Sequence, residues 1–339
     1  MKLIIQIPCL NEEATITKTL QDLPHAIAGV DQIETLIVDD GSSDHTVEVV
    51  REFGVNHIVR HTQNKGLAEA FMTGIDACLK LGADIIVNTD GDNQYCGKNI
   101  ADLIKPILQK EADMVIGDRQ TDGIHHFSYV KKRLQAVGSW VVRHVSDTNV
   151  PDAPSGFRAF SREAALRMNV ISRFSYTLET IIQAGKKNLA VTSIPVETNQ
   201  KLRESRLFSS LPKYLKRSIS TIFRIYTMYE PLKMFSIIGG LIFSGGLLLS
   251  FRFLYFYITG NESGHVQSLI LSAVLMMIGF QVIMIGLVAD LIGGLRRLVE
   301  DTLFRVKKLE MRSQSSQQGN EDKLSKNKKK YLKRITDLP

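Results

Sequence analysis

The seven residues Asn88-Thr89-Asp90-Gly91-Asp92-Asn93-Gln94 hold two carboxylates one residue apart and a carboxamide two further on. Hard oxygen donors of this kind suit Mg2+ or Mn2+, which keeps several waters and completes its shell with phosphate oxygens. Asp90, Asp92 and Gln94 are therefore the candidate metal ligands. Two acids so spaced also occur in plain turns, so their position in the fold decides the reading. A second run, Val38-Asp39-Asp40-Gly41-Ser42-Ser43-Asp44-His45-Thr46, offers acceptors for ribose hydroxyls or a base through Asp40, with Asp44 placed to cap the next helix. Neither GxGxxG nor GxxxxGKS/T occurs, so the phosphate-gripping loops of dinucleotide folds and P-loop ATPases are missing. A metal has to do that work.

These clusters need a scaffold. Short runs rich in Ile and Val at 3–7, 35–38, 57–59, 84–88 and 113–116 predict strands. Between them Ile16, Leu20, Leu23 and Ile27, then Val47 and Val50, then Ala70, Gly74, Ala77 and Leu81 recur at helical spacing. Strict alternation predicts an α/β fold of βαβ units around a parallel sheet buried on both faces. Such sheets bind ligands outside the carboxyl ends of their strands. The polar clusters 8–13, 39–44, 64–66 and 90–94 fall at those ends.

Charge is distributed unevenly over the 339 residues. Residues 1–200 hold 20 basic and 25 acidic groups, 201–233 hold 8 and 2, and 296–339 hold 13 and 6. Between the basic blocks, 234–295 carry only Arg252, Glu262 and Asp290. A nucleic-acid reader would place its basic surface on the folded domain; this pattern fits a lipid bilayer and no nucleic acid. Two apolar stretches, 235–258 and 266–289, reach the roughly 20 residues needed to span a hydrocarbon core. Their connecting loop has no Lys or Arg, so the positive-inside rule predicts a hairpin with both ends in the cytoplasm. Ahead of it, 207–229 spaces Leu211, Leu215, Ile219, Ile222 and Tyr226 among Lys213, Lys216, Arg217 and Arg224, an amphipathic helix suited to the headgroup layer. After Arg312 the Ser, Gln, Asn and Lys composition predicts a largely disordered basic tail. Cys9, Cys78 and Cys96 are odd in number and form no CxxC, so they read as reduced thiols. Trp140 reads as packing or a lipid contact, and Arg252 as a side chain that snorkels to an interface.

Five motifs occur in order: Ile7-Pro8-Cys9-Leu10-Asn11-Glu12-Glu13, Val38-Asp39-Asp40-Gly41-Ser42, Asn64-Lys65-Gly66 with Ala70 and Gly74, the Asp90 run, and Ser155-Gly156-Phe157-Arg158-Ala159-Phe160. The set resembles the family 2 glycosyltransferases of GT-A fold, and within them the polyprenyl-phosphate glycosyltransferases related to dolichyl-phosphate mannose synthase. The C-terminal two-helix hairpin is similar to the bacterial branch that glycosylates undecaprenyl phosphate. The resemblance implies nucleoside and sugar-nucleotide contacts at Pro8, Glu12, Asp40 and Asp90, and a divalent metal and diphosphate site at Asp90, Asp92 and Gln94. Gly117-Asp118-Arg119 stands where the family commonly has Gly-Ser-Arg, so Arg119 and Arg133 are expected in a loop that closes over the acceptor phosphate. Lys201-Leu202-Arg203-Glu204-Ser205-Arg206 resembles an Arg-x-Gly-x-Ser-Lys motif, with Lys for the leading Arg and Arg203 for Gly. Arg158, Lys201, Arg203, Ser205 and Arg206 join the expected acceptor-phosphate site. Asp152 matches an acid near the reaction centre in relatives, placed to orient acceptor or sugar or to link to Arg158.

The expected domains are a GT-A catalytic domain at 1–206, an amphipathic juxtamembrane helix at 207–233, a transmembrane hairpin at 234–292 and a basic tail at 293–339. The expected reaction moves one sugar, with inversion, from a nucleotide sugar to undecaprenyl or dolichyl phosphate. It takes place at the cytoplasmic face of the inner (plasma) membrane, with Asp92, Asp152, Arg119 and Arg133 as the catalytic set. Homo-oligomers through the hairpin are implied by resemblance alone. A processive polysaccharide synthase of the same family is one alternative; the lack of a QxxRW motif and the two-helix hairpin stand against it. A catalytically silent membrane scaffold is the other, against which stand the intact Asp90, Asp92 and Gln94.

Overall fold

The computed structural model describes residues 1–120, 129–171, 176–199, 211–260 and 266–336; its described side chains begin at 138 in the fifth helix and 219 in the eighth, and end at 313 in the tenth. Strand β1 (Lys2–Cys9) lies between β2 (Gln32–Asp39) and β4 (Ile85–Asn88), parallel to both. Its Leu3, Ile4, Ile5 and Ile7 are buried without residue, which is why this strand shows no polar alternation. With β3 (His57–Arg60), β5 (Met114–Asp118), β6 (Arg158–Ser161) and β7 (Val191–Pro195), the sheet runs in the order β3-β2-β1-β4-β6-β5-β7.

The sheet is mixed. Strand β6 is antiparallel to both β4 and β5, pairing Asn88 with Arg158 and Ile116 with Arg158 on its other edge. The sheet is thus mostly parallel, as expected; which strand is reversed could not be read, because four residues with one Arg carry no readable strand period. The insertion matters because it lays the Ser155-Gly156-Phe157-Arg158 motif against the end of β4.

Helices α1 (Ile16–Gln21), α2 (Thr46–Phe53), α3 (Leu67–Lys80) and α4 (Ile100–Leu108) alternate with the first five strands. Then come α5 (Tyr129–Ser146), α6 (Arg162–Arg167) and α7 (Tyr176–Lys186). Helix α1 stops well short of Ile27. Pro24 disfavours helix at the residue before it, and the Asp22 carboxylate accepts the Gly97 N–H at 2.6 Å. Helix α3 buries Ala68, Phe71, Ile75, Cys78 and Leu79 along with Ala70 and Gly74, so its stripe is wider than the spacing of small residues suggested.

The chain divides into two compact units, Met1–Ile222 with Leu303–Pro339, and Phe223–Thr302. Helices α8 (Leu211–Tyr229), α9 (Pro231–Ile258) and α10 (Val266–Thr336) complete the fold. In the first unit, Lys307 Nζ lies 2.9 Å from Asp76 Oδ1, Lys308 Nζ lies 3.6 Å from Glu163 Oε2, and the Arg167 guanidinium sits 4.5 Å over the Phe304 ring. Helix α10 continues to Thr336, and from Leu303 its residues belong to the first unit.

In the second unit, α9 and α10 are the two described helices long and apolar enough to cross a membrane. They approach through small residues. A Cβ on Gly239 would lie 2.7 Å from Gly279 O, and one on Gly246 would lie 2.9 Å from Ser272 O. The buried Ser272 hydroxyl donates to Gly246 O at 2.7 Å and lies 2.7 Å from Ser250 Oγ. Leu241, Leu248, Ile258 and Leu291 point outward and are exposed.

Candidate active site

The site is built from the loops that follow β1, β2, β3 and β4. Pro8 is buried in β1 opposite Val38. Asn11 takes a left-handed backbone (φ 55°) and its Oδ1 accepts the Ser43 N–H at 2.8 Å, locking the first loop to the second. Asn tolerates that conformation better than most residues because its short amide bonds locally. Glu12 is buried, with its N–H donated to Thr46 Oγ1 at 2.8 Å and its Oε2 2.8 Å from the Thr15 hydroxyl.

Asp40 closes the second loop onto the third. Its Oδ1 lies 2.7 Å from His61 Nδ1 and accepts the Lys65 N–H at 2.9 Å, while Oδ2 accepts the Gly66 N–H at 2.8 Å. Much of the acceptor capacity expected to meet the nucleoside therefore shapes the loop around it. Asp39, fully buried, accepts from Arg60 Nε at 3.1 Å. Gly41 is required between them: a Cβ there would lie 2.7 Å from the Gln63 carbonyl carbon. Asp44 Oδ1 accepts the Thr46 N–H at 3.1 Å, the capping-type bond foreseen for it, one residue outside the N-cap position.

After β4, Asp90, Asp92 and Gln94 are half-buried, and Gly91 is buried beneath them. The Thr19 hydroxyl donates to Gly91 O at 3.1 Å, and Thr15 Oγ1 lies 3.0 Å from the same oxygen. The Gln94 N–H donates to Asp92 Oδ1 at 3.2 Å, and Gln94 O accepts the Asn199 N–H at 2.9 Å. The extension of β7 thus fastens the acidic loop from outside.

Residues 152–156 tie this acidic end to the candidate acceptor arginine. A Cβ on Gly156 would lie 3.0 Å from each Asp90 carboxylate oxygen, so glycine there makes the seat for Asp90. Asn88 Nδ2 donates to Gly156 O at 2.9 Å and lies 2.8 Å from the Tyr176 hydroxyl; its Oδ1 accepts from Gln6 Nε2 at 2.9 Å. Tyr95 Oη accepts the Gly156 N–H at 2.9 Å, and burial pushes the Tyr95 pKa up to about 12. At the other end of the segment, Asp152 grips Arg119 with Nε–Oδ2 at 2.7 Å and Nη2–Oδ1 at 2.9 Å. Burial works against the Arg119 charge, but Tyr95, Asp152 and Asp90 outweigh it and hold its pKa above the ordinary arginine value.

One expectation is corrected. Arg158 is 0 % exposed: Nε donates to Ser155 O at 2.8 Å, Nη1 to Thr177 O at 2.7 Å and to the Thr180 hydroxyl, and Nη2 to Ala153 O at 2.8 Å. Burial pushes its pKa down to about 10, still charged at neutral pH. It bolts the 152–156 segment to α7 and has no surface for an acceptor. Asp152, in turn, binds Arg119 directly, and its charge also acts on Arg158. Arg133 belongs to α5 but its side chain lies outside the described residues, as do Lys201, Arg203, Ser205 and Arg206.

Sequence reasoning did not single out His61, Tyr95 or Tyr176, which carry no local signal; Asn88 and Gly156 lay inside quoted motifs without a role. Burial, then Glu12, Asp39 and Asp90, raise the Cys9 pKa well above its usual range, so this thiol beside the acids stays protonated and is no nucleophile. Among the described residues no three acidic, His or Cys side chains converge as a ready-made metal cage. Two half-buried carboxylates beside a carboxamide are a donor set that suits a hard cation sharing its shell with water and a substrate diphosphate.

The sheet and its helices match glucosyl-3-phosphoglycerate synthase from Mycobacterium tuberculosis in its complex with Mn2+, uridine diphosphate and phosphoglyceric acid, with TM-score 0.53 and 20% identity over 66% of this chain and 78% of that one. The fold is that of the GT-A glycosyltransferases, a mostly parallel mixed sheet flanked by helices. Residues 4–167 match the model for glycosyl transferase family 2. The chain is 31% identical over 216 residues to UDP-N-acetylglucosamine–dolichyl-phosphate N-acetylglucosaminyltransferase of Methanococcus voltae, covering 57% of this chain and 83% of the relative. It is 26% identical over 270 residues to dolichol-phosphate mannosyltransferase of Pyrococcus furiosus, covering 76% and 73%. The chain belongs to glycosyl transferase family 2 and is a glycosyltransferase.

Proposed function

We propose that this enzyme transfers one sugar from a nucleotide sugar to a polyprenyl phosphate at the cytoplasmic face of the membrane, with inversion and with a divalent metal. The observation that carries the reading is the 152–156 segment, which seats Asp90 at one end and clamps Arg119 at the other. Four residue steps span at most about 14 Å, so the two ends are near enough for a donor diphosphate and an acceptor phosphate to flank one sugar. The names of the relatives support the acceptor class, since both act on dolichyl or dolichol phosphate.

A lipid phosphate with second pKa near 6 is largely ionised at neutral pH, so no strong general base is required. Its oxygen forms the bond to the anomeric carbon from one face; the bond to the nucleotide diphosphate breaks on the other, and the electron pair leaves with that diphosphate. The protein's task is to orient two anions that repel each other. Arg119, held on one edge by Asp152, presents its other edge to the acceptor phosphate, and Arg133 with Lys201, Arg203, Ser205 and Arg206 adds positive charge. Asp152 therefore orients Arg119 instead of acting as a base. Pro8, Glu12 and the loop organised by Asp40 hold the nucleoside side. Asp90, Asp92 and Gln94 would hold Mg2+ or Mn2+, which supplies charge to stabilise the leaving diphosphate. The Mn2+ and uridine diphosphate of the structurally similar synthase support that part.

Topology has support of its own. Segments before and after the hairpin pack within one unit, as in the Lys307–Asp76 pair, which favours an even number of crossings between them. Together with the basic flanks, this supports a reading with the catalytic unit and both termini in the cytoplasm.

The test incubates the purified full chain with a panel of labelled nucleotide sugars, polyprenyl phosphate and Mn2+ or Mg2+. One labelled lipid carrying a single sugar is the expected product. Long polymer, or no lipid product from any donor, overturns the proposal.

A further inference from the structure

His61 is the middle member of a buried line of side chains at the nucleoside end of the site. It follows β3 directly and is 6 % exposed. Its Nδ1 lies 2.7 Å from Asp40 Oδ1, and its Nε2 lies 3.0 Å from the Thr73 hydroxyl on α3. A neutral imidazole has one donor and one acceptor nitrogen, so the nitrogen facing the carboxylate donates and the other accepts from Thr73. Thr73 thus fixes the ring, and the His61 N–H, donated to Asp39 O at 2.8 Å, fixes its backbone.

A carboxylate offers about four acceptor positions, two on each oxygen. Among the described residues, Asp40 Oδ1 takes His61 Nδ1 and the Lys65 N–H, while Oδ2 takes the Gly66 N–H alone. One position is left, on Oδ2, beside a loop in which Lys65 is exposed and Gly66 half-buried. The Asp40 side chain keeps 5 % of its surface, an opening on the scale of a single donor.

Nucleobases differ in what they bring to such a group. Guanine presents N1–H and its N2 amino group side by side, two donors that call for both oxygens of one carboxylate. Uracil presents N3–H alone, between two carbonyls that make it a more acidic donor than the amino groups of cytosine or adenine. Guanine at Asp40 would bury one donor without a partner, a loss of roughly tenfold or more in affinity. We propose that His61, held by Thr73, is a positioning residue that leaves Asp40 one acceptor position, and that the enzyme therefore takes uridine diphosphate sugars in preference to guanosine diphosphate sugars. The inference rests on the nucleotide-sugar reading above, with the base at Asp40; its first test does not depend on sugar transfer.

The purified full chain with Mn2+ is titrated calorimetrically with UDP, GDP, CDP and ADP. UDP should bind at least about tenfold more tightly than each of the others. Equal or tighter binding of any of the other three overturns the choice of base. In His61→Ala an acceptor position on Oδ1 is released, so the preference for UDP over GDP should shrink to about threefold or less. His61→Asn, whose amide nitrogen stands where Nδ1 does, should retain the preference. A purely structural histidine would weaken both nucleotides equally, so an unchanged ratio in His61→Ala overturns its role. Thr73→Val, which releases the ring without removing it, should give an intermediate ratio and carries the same decision if His61→Ala does not fold. Transfer from GDP-sugars but not UDP-sugars would uphold sugar transfer and sink this inference. A UDP preference lost in His61→Ala, with no lipid product from any donor, would sink sugar transfer and leave base selection standing.

Discussion

Glycine does different work in the two units of this protein. In the catalytic unit Gly156 and Gly41 leave room for a carboxylate and for a neighbouring loop, so the missing Cβ shapes chemistry. In the hairpin Gly239, Gly246 and Gly279 leave room for another helix backbone, so the missing Cβ sets helix separation. Buried polarity divides in the same way. The catalytic unit satisfies Arg158, Asn88, Gln6 and Asp40 through networks that tie several loops together, whereas the hairpin's Ser250–Ser272 pair ties one helix to its neighbour. In water, where apolar burial holds the fold, buried polar groups can be assigned to positioning; in lipid, where burial gives helices little reason to associate, small residues and single hydrogen bonds provide it.

Substitutions in each region should therefore fail differently. Asp92→Ala should lower turnover by about a thousandfold while leaving membrane insertion intact, measured by product formation beside membrane flotation. Unchanged turnover would remove Asp92 from the metal site. Arg158→Met should cost the catalytic unit about 3–5 kcal/mol, since it strands four buried acceptors, read as a lower urea midpoint by Trp140 fluorescence. If stability held and only the acceptor KM rose, the arginine would return to a ligand role. Gly279→Leu should weaken the hairpin by about 1–3 kcal/mol, because even a Cβ at 279 would lie 2.6 Å from Phe243 N. Donor-nucleotide binding should stay within about twofold of wild type; a larger loss would blur the division between the units. Ser272→Ala should cost only about 0.6 kcal/mol in detergent unfolding, and a cost of several kcal/mol would mean the hairpin relies on polar networks as the catalytic unit does.

Local pattern carried much of this. The expected strands at 3–7, 35–38, 57–59, 84–88 and 113–116 agree with β1 to β5 to within about three residues at their ends. Burial on both faces writes itself into a parallel strand as an unbroken apolar run. The acidic clusters stood out because polar residues directly after such runs can only lie at the sheet's edge. Strand β6 and the pairs Asp152–Arg119, His61–Asp40 and Asp90–Gly156 left no such trace. Their partners are 21 to 70 or more residues away in sequence for β6 with β4 and for His61 with Asp40, and period and composition do not encode which distant group a side chain meets.

Composition and spacing alone determined that the chain alternates strands with helices, gathers acids at one edge of the sheet, and carries two long apolar stretches bracketed by cations, because each of these is a property of neighbours along the backbone. Only the folded chain decided that Arg158 is a buried bolt, that Asp152 holds Arg119, that Gly156 seats Asp90, and that the helix after the hairpin returns to the catalytic unit. Those outcomes depend on which residues the tertiary packing brings within about 3 Å of one another, where a hydrogen bond or a steric clash has its energy.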